Sequence, residues 1–319
     1  LTIVKTKKWE YYTLAIVLVW AGGYWLQPFQ WSLNKLDEKI TVSLVQGGID
    51  QGQKWDEDKL IPTAQLYYDL TSSEFGRDLI IWPEAALPHL RHVLENIYDE
   101  LRDRALEEDS TLVLGSIEYD FDKDQYFNGI LMLGEPDQVY YKRHLVPFGE
   151  YFPVPQLIRN WLRLKNLPYM DYTPGKSKQS LLTKNGEYSF APLLCYEAAY
   201  GAEQLYAFPA ASFLVNVSND GWFGDSIAAD QHLQIARLRA QETQRPLLRA
   251  TNNGITAVID QKGDISAQLP QFEPGVLRSE ITLVWGHTPY TWWGNWPVLF
   301  VVFLSILGLW RSWACEKTL

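Results

Sequence analysis

Three residues with complementary chemistry stand at the ends of predicted β-strands. Glu84 closes the run DLIIWPE, Lys142 follows QVYY, and Cys195 follows SFAPLL. A thiol needs a base to become a nucleophilic thiolate, and a carboxylate in a dry pocket suits that role. A lysine ammonium stabilises both a thiolate and the oxyanion that forms when a carbonyl is attacked. Together, the three residue types indicate covalent catalysis with a cysteine nucleophile.

Each of these residues also has an ordinary structural interpretation. A glutamate after a proline is favoured at a helix N-terminus by the helix dipole. A lysine next to Arg143 and His144 is typical of a solvated face. A lone cysteine such as Cys195 is usually a small buried hydrophobe. Taken alone, the residue types leave both interpretations open.

The elements that would position these residues alternate between strand and helix patterns. Apolar runs predict strands over residues 39–46, 78–84, 111–119, 126–134, 138–145, 189–197, 211–218, 247–252 and 254–260. Helical spacing of apolar residues predicts helices over residues 58–73, 97–109 and 230–244. Continuous apolar strands that alternate with helices predict an α/β fold in which helices cover a sheet, and the hairpins indicate a mixed sheet.

Composition excludes several classes of function. The net charge of −10 is unfavourable for nucleic-acid binding, which needs a basic surface, so we expect no nucleic-acid partner. Two cysteines do not form a disulfide framework. No HExxH motif or paired Cys-x-x-Cys motif occurs, which predicts no metal site. Since no glycine-rich phosphate-binding motif follows a predicted strand, we expect no nucleotide cofactor.

Two stretches of the chain lack Asp, Glu, Lys and Arg, namely residues 11–34 and 281–310. A membrane-spanning helix needs roughly 17–25 mostly apolar residues, and both stretches are long enough. Lysines precede the first stretch, while Arg311 and Lys317 follow the second, which predicts cytoplasmic ends. Tryptophans near both stretches suit a membrane interface. We therefore expect two transmembrane helices, although a buried core helix would also explain each stretch.

This topology divides the chain into three segments. Residues 1–34 would hold one transmembrane helix, and residues 35–290 an acidic extracytoplasmic domain. Residues 291–319 would form a second transmembrane helix and a short cytoplasmic tail. Because the chain begins at Leu1 and the first predicted span follows almost at once, we expect earlier residues to be missing.

Longer segments around the three residues resemble a known family. The segments WPEAALP, KRHLVPFGEY, CYEAAY, VNVSNDGWFG and QHLQIARLRAQETQRPLLRATNNGITAVID resemble the apolipoprotein N-acyltransferases, in the same order along residues 39–285. These bacterial enzymes belong to the nitrilase (carbon–nitrogen hydrolase) superfamily and add a third acyl chain to lipoproteins. The resemblance implies a nitrilase-like α-β-β-α sandwich with mixed sheets, flanked by two transmembrane helices. It also implies a multi-pass protein of the bacterial inner (cytoplasmic) membrane, with the catalytic domain in the periplasm.

The resemblance implies a role for each matching residue. Glu84 would be the general base, Lys142 the oxyanion stabiliser and Cys195 the nucleophile. The supporting or substrate-binding residues would be Glu150, Glu197, Tyr196, Trp55 and Asn128. Structural roles would explain the last four of these equally well. The family needs no cofactor, since the acyl group is carried on the cysteine as a thioester.

The implied partners are a phospholipid acyl donor, a diacylglyceryl lipoprotein acceptor and the membrane bilayer, and we expect a monomer. One departure is that the family carries a multi-helix membrane bundle before its nitrilase-like domain, whereas we expect only the last helix of that bundle in this chain. Two alternatives use the same residues differently. A membrane-tethered nitrilase-type amidase would pass the acyl group of a small amide to water, and a catalytically inactive scaffold would only bind lipoproteins.

One further segment bears on the substrate. Residues 153–170 place Leu157, Trp161 and Leu164 on one face of a predicted helix that also carries basic residues. Such a pattern is typical of a helix that lies in a membrane interface, although an ordinary helix packed on the domain would also fit.

Overall fold

The computed structural model describes residues 9–26, 28–154, 171–184 and 186–317. It divides into two units, Leu1–Trp31 and Ser32–Leu319. The first unit contains helix α1 (Trp9–Leu26). The second unit contains the remaining helices and strands.

The second unit contains two six-stranded mixed sheets. In spatial order, the first sheet consists of β12 (Gly275–Gly286), β1 (Ser32–Gln46), β2 (Leu79–Ile81), β3 (Thr111–Asp120), β4 (Gln125–Met132) and β5 (Gln138–Tyr141). The second sheet consists of β11 (Ile265–Gln268), β10 (Ala257–Ile259), β9 (Leu247–Thr251), β8 (Phe213–Ser218), β7 (Tyr188–Leu194) and β6 (Leu182–Lys184). The pairs β1–β2, β2–β3, β7–β8 and β8–β9 are parallel, and the outer pairs are antiparallel.

Helices lie on the outer face of each sheet. Helices α2 (Leu60–Thr71) and α3 (Glu95–Glu107) pack on the first sheet, and α4 (Ala228–Thr243) packs on the second. Helix α4 buries Leu233, Ala236 and Ala240, whose spacing places them on one face. Two more helices follow β12, namely α5 (Pro289–Trp293) and α6 (Trp296–Lys317).

Three apolar layers hold this arrangement together. Side chains from both sheets meet between the sheets, including Val42, Leu44, Ile81, Val113, Phe190, Leu194, Val215 and Val217. A second layer joins the first sheet to α2 and α3, and a third joins the second sheet to α4. The inner strands are therefore apolar on both faces, which explains their continuous apolar sequences. The predicted α-β-β-α sandwich with mixed sheets is confirmed.

The two predicted transmembrane helices are not supported by the structure. None of the helices in the described part of the chain is long and apolar enough to cross a membrane. The charge-free stretches are shared between strands and helices, since Ser32 and Asn34 in β1 pair with Gly286 and Val284 in β12. The charge-free stretches therefore form a pair of β-strands as well as helices.

The remaining differences concern edge strands and one helix. Strands β6, β11 and β12 were not predicted, because they lie at or near sheet edges and carry polar residues between the apolar ones. The interfacial helix predicted over residues 153–170 falls almost entirely on residues 155–170, which lie outside the described residues.

Candidate active site

The structure brings Glu84, Lys142 and Cys195 together where strands from both sheets end. Glu84 lies in the turn after β2, Lys142 directly follows β5, and Cys195 directly follows β7. The backbone N–H of Asn219, which follows β8, donates to Glu84 Oε2 at 3.0 Å. This contact joins the second sheet to the first at the site.

Lys142 lies between two carboxylates. Its Nζ donates to Glu150 Oε1 at 2.7 Å and to Glu84 Oε1 at 3.4 Å. The Asn128 Nδ2 group donates to the same two oxygens, at 3.0 Å to Glu150 and 2.9 Å to Glu84. The Val146 backbone N–H fixes the other Glu150 oxygen at 2.8 Å. The predicted residues Glu150 and Asn128 therefore complete one hydrogen-bonded cluster with Glu84 and Lys142.

The charge of Lys142 is maintained by its neighbours. The side chain is only 1% exposed, and burial alone would lower its pKa. The Glu84 and Glu150 carboxylates outweigh burial, so the pKa of Lys142 lies above its ordinary value. An ammonium group is therefore fixed beside Glu84, where it could stabilise a developing oxyanion.

The turn that carries Glu84 is pressed against β3. The next residue, Ala85, has φ 44°, in the left-handed region. A Cβ added to Gly115 of β3 would lie 2.5 Å from the Glu84 Cα and 2.6 Å from the Ala85 nitrogen. Only glycine permits this close approach, which fixes the Glu84 backbone against the sheet.

Cys195 opens a short 3-10 helix, Cys195–Ala199, and has φ 50°. Such a conformation costs energy in a residue other than glycine and is concentrated at functional sites. Burial and, to a lesser degree, the Glu84 carboxylate raise the pKa of the Cys195 thiol to about 12, against the opposing effect of the Lys142 ammonium. The resting thiol is therefore protonated at neutral pH and needs a base before it can react.

Glu197 and Tyr196 lie in different surroundings, although they are sequence neighbours. Glu197 is buried and accepts backbone hydrogen bonds from Leu194 at 2.9 Å and Arg143 at 2.7 Å. Burial raises its pKa against these donors. Glu197 thus ties the residue before Cys195 to the residue after Lys142. Tyr196 is exposed, and its hydroxyl accepts a hydrogen bond from the Tyr200 hydroxyl at 3.0 Å.

Trp55 lies on a turn after β1, and its side chain is 41% exposed. Its neighbour Lys54 is buried, and its Nζ donates to the backbone carbonyl of Glu84 at 3.0 Å. Burial lowers the pKa of Lys54 to about 8, although the Glu84 carboxylate and Cys195 oppose this shift. Lys54 was not predicted, because a lysine among charged neighbours resembles a residue of a solvated loop.

A second group of polar residues beside Cys195 was also missed. The His232 ring contacts the Cys195 carbonyl oxygen and the Asp220 carboxylate, at 3.0 Å and 2.9 Å. Arg249 Nη2 donates to the same carboxylate at 2.7 Å. These residues come from α4, from the turn after β8 and from β9, so sequence spacing gave no signal of their contact. Within the described residues, no group of three or more His, Cys, Asp or Glu side chains is arranged to hold a metal ion.

The arrangement suits acyl transfer through a cysteine. Glu84 could accept the thiol proton, Lys142 supplies a fixed positive charge, and Cys195 follows β7 in a left-handed backbone conformation. Base, cation and thiol are the parts that covalent attack on a carbonyl needs.

Comparison with known proteins adds to this geometry. The sequence pattern of the family described as carbon-nitrogen hydrolase matches residues 41–287. The chain is 40% identical over 321 residues to the apolipoprotein N-acyltransferase of Vibrio cholerae, covering 97% of this chain and 63% of that protein. It is 39% identical over 286 residues to the apolipoprotein N-acyltransferase of Methylococcus capsulatus, covering 89% and 56%. The chain thus spans about three fifths of the length of these relatives.

Solved structures share the fold at low sequence identity. Nit3 of Saccharomyces cerevisiae, a nitrilase-superfamily protein, has a TM-score of 0.57 and 17% identity, covering 77% of this chain and 90% of that chain. The NitFhit protein of Caenorhabditis elegans has a TM-score of 0.59 and 16% identity, covering 76% and 61%. The chain therefore has a nitrilase-like α/β fold.

Proposed function

Because this chain belongs to the carbon-nitrogen hydrolase family, we propose that it forms the catalytic part of an apolipoprotein N-acyltransferase. It would move an acyl chain from a phospholipid to the α-amino group of a diacylglyceryl-cysteine lipoprotein. The observation that carries this proposal is the cluster of Glu84, Lys142 and Glu150 beside Cys195, in a chain about 40% identical to proteins of that name.

In the first half-reaction, Glu84 removes the proton of Cys195, and the sulfur attacks an ester carbonyl of the phospholipid. The Lys142 ammonium stabilises the oxyanion, and a lysophospholipid leaves with the proton from Glu84. An acyl thioester remains on Cys195. The two carboxylates beside Lys142 support this division of roles, because they keep the lysine charged while one of them accepts a proton.

In the second half-reaction, the free amine of the lipoprotein attacks the thioester. Glu84 accepts the proton of the amine, and the Cys195 sulfur leaves as a thiolate and regains a proton. One oxyanion donor such as Lys142 is expected to increase the reaction rate by roughly 10²–10³-fold. The chemistry returns the enzyme to its starting state without a cofactor.

Exposed aromatic residues close in sequence to the site support a lipid substrate over a small amide. Trp222 and Phe223 are 67% and 50% exposed, and they follow Asn219, whose N–H binds Glu84. Phe148 is 69% exposed and lies two residues before Glu150. Exposed aromatic side chains favour contact with an acyl chain. A membrane-tethered amidase that hydrolyses a small amide remains the alternative, since it would use the same residues.

Contact with a bacterial membrane forms part of the proposal. Residues 35–290 would act in the periplasm as a monomer. Helix α6 exposes Val298, Leu299, Phe300, Val301 and Phe303, and we expect these side chains to meet lipid. Flotation with phospholipid vesicles tests this, because the chain should rise with the vesicles. A variant with aspartate at Val298 and Val301 should rise less, and equal recovery of both proteins would exclude this contact.

The acyl-enzyme can be detected directly. After incubation with acyl-labelled phospholipid, we expect label on the chain that hydroxylamine removes, as a thioester requires. Cys195→Ala should carry none. Label that survives this substitution, or no label on the native chain, would contradict the proposal.

The acceptor distinguishes the two enzymes. When an amine-bearing diacylated lipopeptide is added, the label should pass to the lipopeptide with little free fatty acid. Release of free fatty acid with no labelled lipopeptide would identify a hydrolase instead.

A further inference from the structure

Helix α4 contacts the nucleophile-bearing turn at two backbone carbonyls. His232 Nε2 lies 3.0 Å from the Cys195 carbonyl oxygen. About two helical turns further along the same face, Arg239 Nη1 donates to the Ala198 carbonyl at 3.0 Å. The 3-10 helix Cys195–Ala199 is therefore held at both ends by side chains of a single α-helix. The contact at Ala198 satisfies a carbonyl of the last turn, which a helix leaves without an internal partner.

The partners of His232 determine how many protons its ring carries. A backbone carbonyl only accepts hydrogen bonds, so Nε2 must donate to Cys195. The other ring nitrogen, Nδ1, lies 2.9 Å from Asp220 Oδ1. If Asp220 is ionised, it also only accepts, and Nδ1 must donate as well. A ring that donates from both nitrogens is an imidazolium cation.

Several contacts favour the ionised form of Asp220. The residue is buried, and Arg249 Nη2 donates to its Oδ2 at 2.7 Å. The Ser218 hydroxyl donates to Oδ1 at 2.8 Å. Burial alone would raise the pKa of Asp220, but the pKa lies below its ordinary value, and the Arg249 guanidinium is the largest cause of this lowering. Both oxygens of Asp220 are thus occupied by donors.

We propose that His232 is an imidazolium cation at neutral pH and acts as a positioning residue for Cys195. Bound to Asp220, it donates to the Cys195 carbonyl and stabilises the left-handed φ of 50° at the nucleophile. The peptide then directs the thiol towards Glu84 in each catalytic cycle. The inference rests on the proposed nucleophilic role of Cys195 and assigns no contact with substrate to His232.

The charged groups around His232 come from several elements. Asp220 precedes α4, Arg249 lies on β9, and the 3-10 helix contributes the Cys195 thiol and the buried Glu197. On α4 itself, Arg239 faces the same turn. The only carboxylate that contacts the ring among the described residues is Asp220, so its charge decides the protonation of His232.

Nuclear magnetic resonance of the 319-residue chain with ¹⁵N-labelled histidine tests the protonation state without any activity. The two ring nitrogens of His232, assigned by their loss in His232→Gln, should show the matching shifts of an imidazolium. This pattern should persist at a pH where the exposed His92 has the separated shifts of a neutral ring. A neutral pattern for His232 at pH 7 would overturn the proposal, whatever the enzyme's substrate proves to be.

The positioning role is tested by alkylation of Cys195 with iodoacetamide and by acylation with a p-nitrophenyl ester. Glutamine keeps one N–H donor without the charge, and leucine keeps neither. We expect a loss of about 10-fold in the acylation rate for His232→Gln and about 10²-fold for His232→Leu, as for a displaced reacting group. Acylation at the native rate by both variants would overturn the role.

Two measurements separate positioning from loss of folding. If His232→Leu does not fold, His232→Gln and the spectrum of the native chain still decide the question. In addition, the native acylation rate should fall at the pH where the His232 imidazolium signal disappears, and the rate of His232→Gln should not change there. A native profile without that step would contradict the role of the charge.

Discussion

Two buried ionic clusters flank Cys195, and with the imidazolium proposed for His232 their charge balance is opposite. On the first sheet, the carboxylates of Glu84 and Glu150 share the ammonium of Lys142. On the second sheet, the Asp220 carboxylate is shared by Arg249 and His232. A cluster with two carboxylates for one cation retains a carboxylate oxygen that can accept a proton. A cluster with more cations than carboxylates has no carboxylate oxygen left to accept a proton. Its N–H donors are suited to bind backbone carbonyls instead.

The largest effect should come from the acceptor of the thiol proton. Glu84→Gln preserves the shape of the first cluster but removes the base, so acyl-enzyme formation should fall by about 10³-fold. Single-turnover labelling with an activated ester measures this. The exposed Glu107→Gln on α3 is the matched control and should react at the native rate. Equal acylation rates for both variants would show that Glu84 is not the base.

Removal of the shared cation should affect both rate and stability. Lys142→Met leaves two buried carboxylates without their partner, and breaking a buried pair costs about 3–5 kcal/mol of unfolding free energy. The acylation rate should fall by about 10²-fold with the lost oxyanion donor. Urea unfolding and acylation measure the two effects. Lys39→Met removes an exposed pair with Glu280 and should change neither.

The second cluster should contribute more to stability than to chemistry. Arg249→Met leaves Asp220 buried with only His232 as its cation, and we expect a loss of about 3–5 kcal/mol in urea unfolding. The acylation rate of the folded variant should fall less than that of Glu84→Gln. The exposed Arg104→Met is the control. A larger rate loss for Arg249→Met than for Glu84→Gln would reverse the comparison.

The smallest effect is a pH dependence at Lys54, behind the first cluster. Burial lowers its pKa to about 8, so the unfolded chain binds more protons than the folded chain between about pH 8 and the ordinary lysine pKa. The unfolding free energy of the native chain relative to Lys54→Met should therefore rise with pH in this window. The slope should approach about 1.4 kcal/mol per pH unit.

Lys59→Met serves as the control for Lys54, since Lys59 lies in a 3-10 helix, Glu57–Lys59, that buries no residue. Its difference from the native chain should not change with pH. Urea midpoints measured at pH 7, 8, 9 and 10 decide the matter. A constant difference between Lys54→Met and the native chain would place Lys54 outside a dry environment.

Sequence could predict one cluster and not the other for a physical reason. Glu84, Lys142 and Cys195 are reactive residue types at the ends of apolar strands, and strand ends are marked by periodicity. Asp220, His232 and Arg249 come from a turn, a helix and the middle of a strand, and only tertiary packing brings them together. Their burial is invisible in a sequence, because a charged residue is usually exposed.

The fold was also predictable in part. The two apolar strand sets and the helices predicted the sandwich, because continuous apolar runs imply burial on both faces. The prediction was not supported near the two ends of the chain, at residues 11–34 and 281–310. A charge-free run has the same composition in a buried strand and in a membrane helix. Strand β12 illustrates this, because Ile281 and Leu283 pack in the core between the sheets.

The pairing of β1 with β12 has a mechanical consequence. Ser32 opposes Gly286 at one end of an antiparallel ladder, and Gln46 opposes Gly275 at the other. The chain therefore enters the two-sheet sandwich at Ser32 and leaves it at Gly286, and these paired residues form a stem. The sandwich could be inserted into a host protein through this stem alone. A pulling force on the two stem ends would load the ladder in unzipping geometry, so its hydrogen bonds would break one after another from Ser32 towards Gln46.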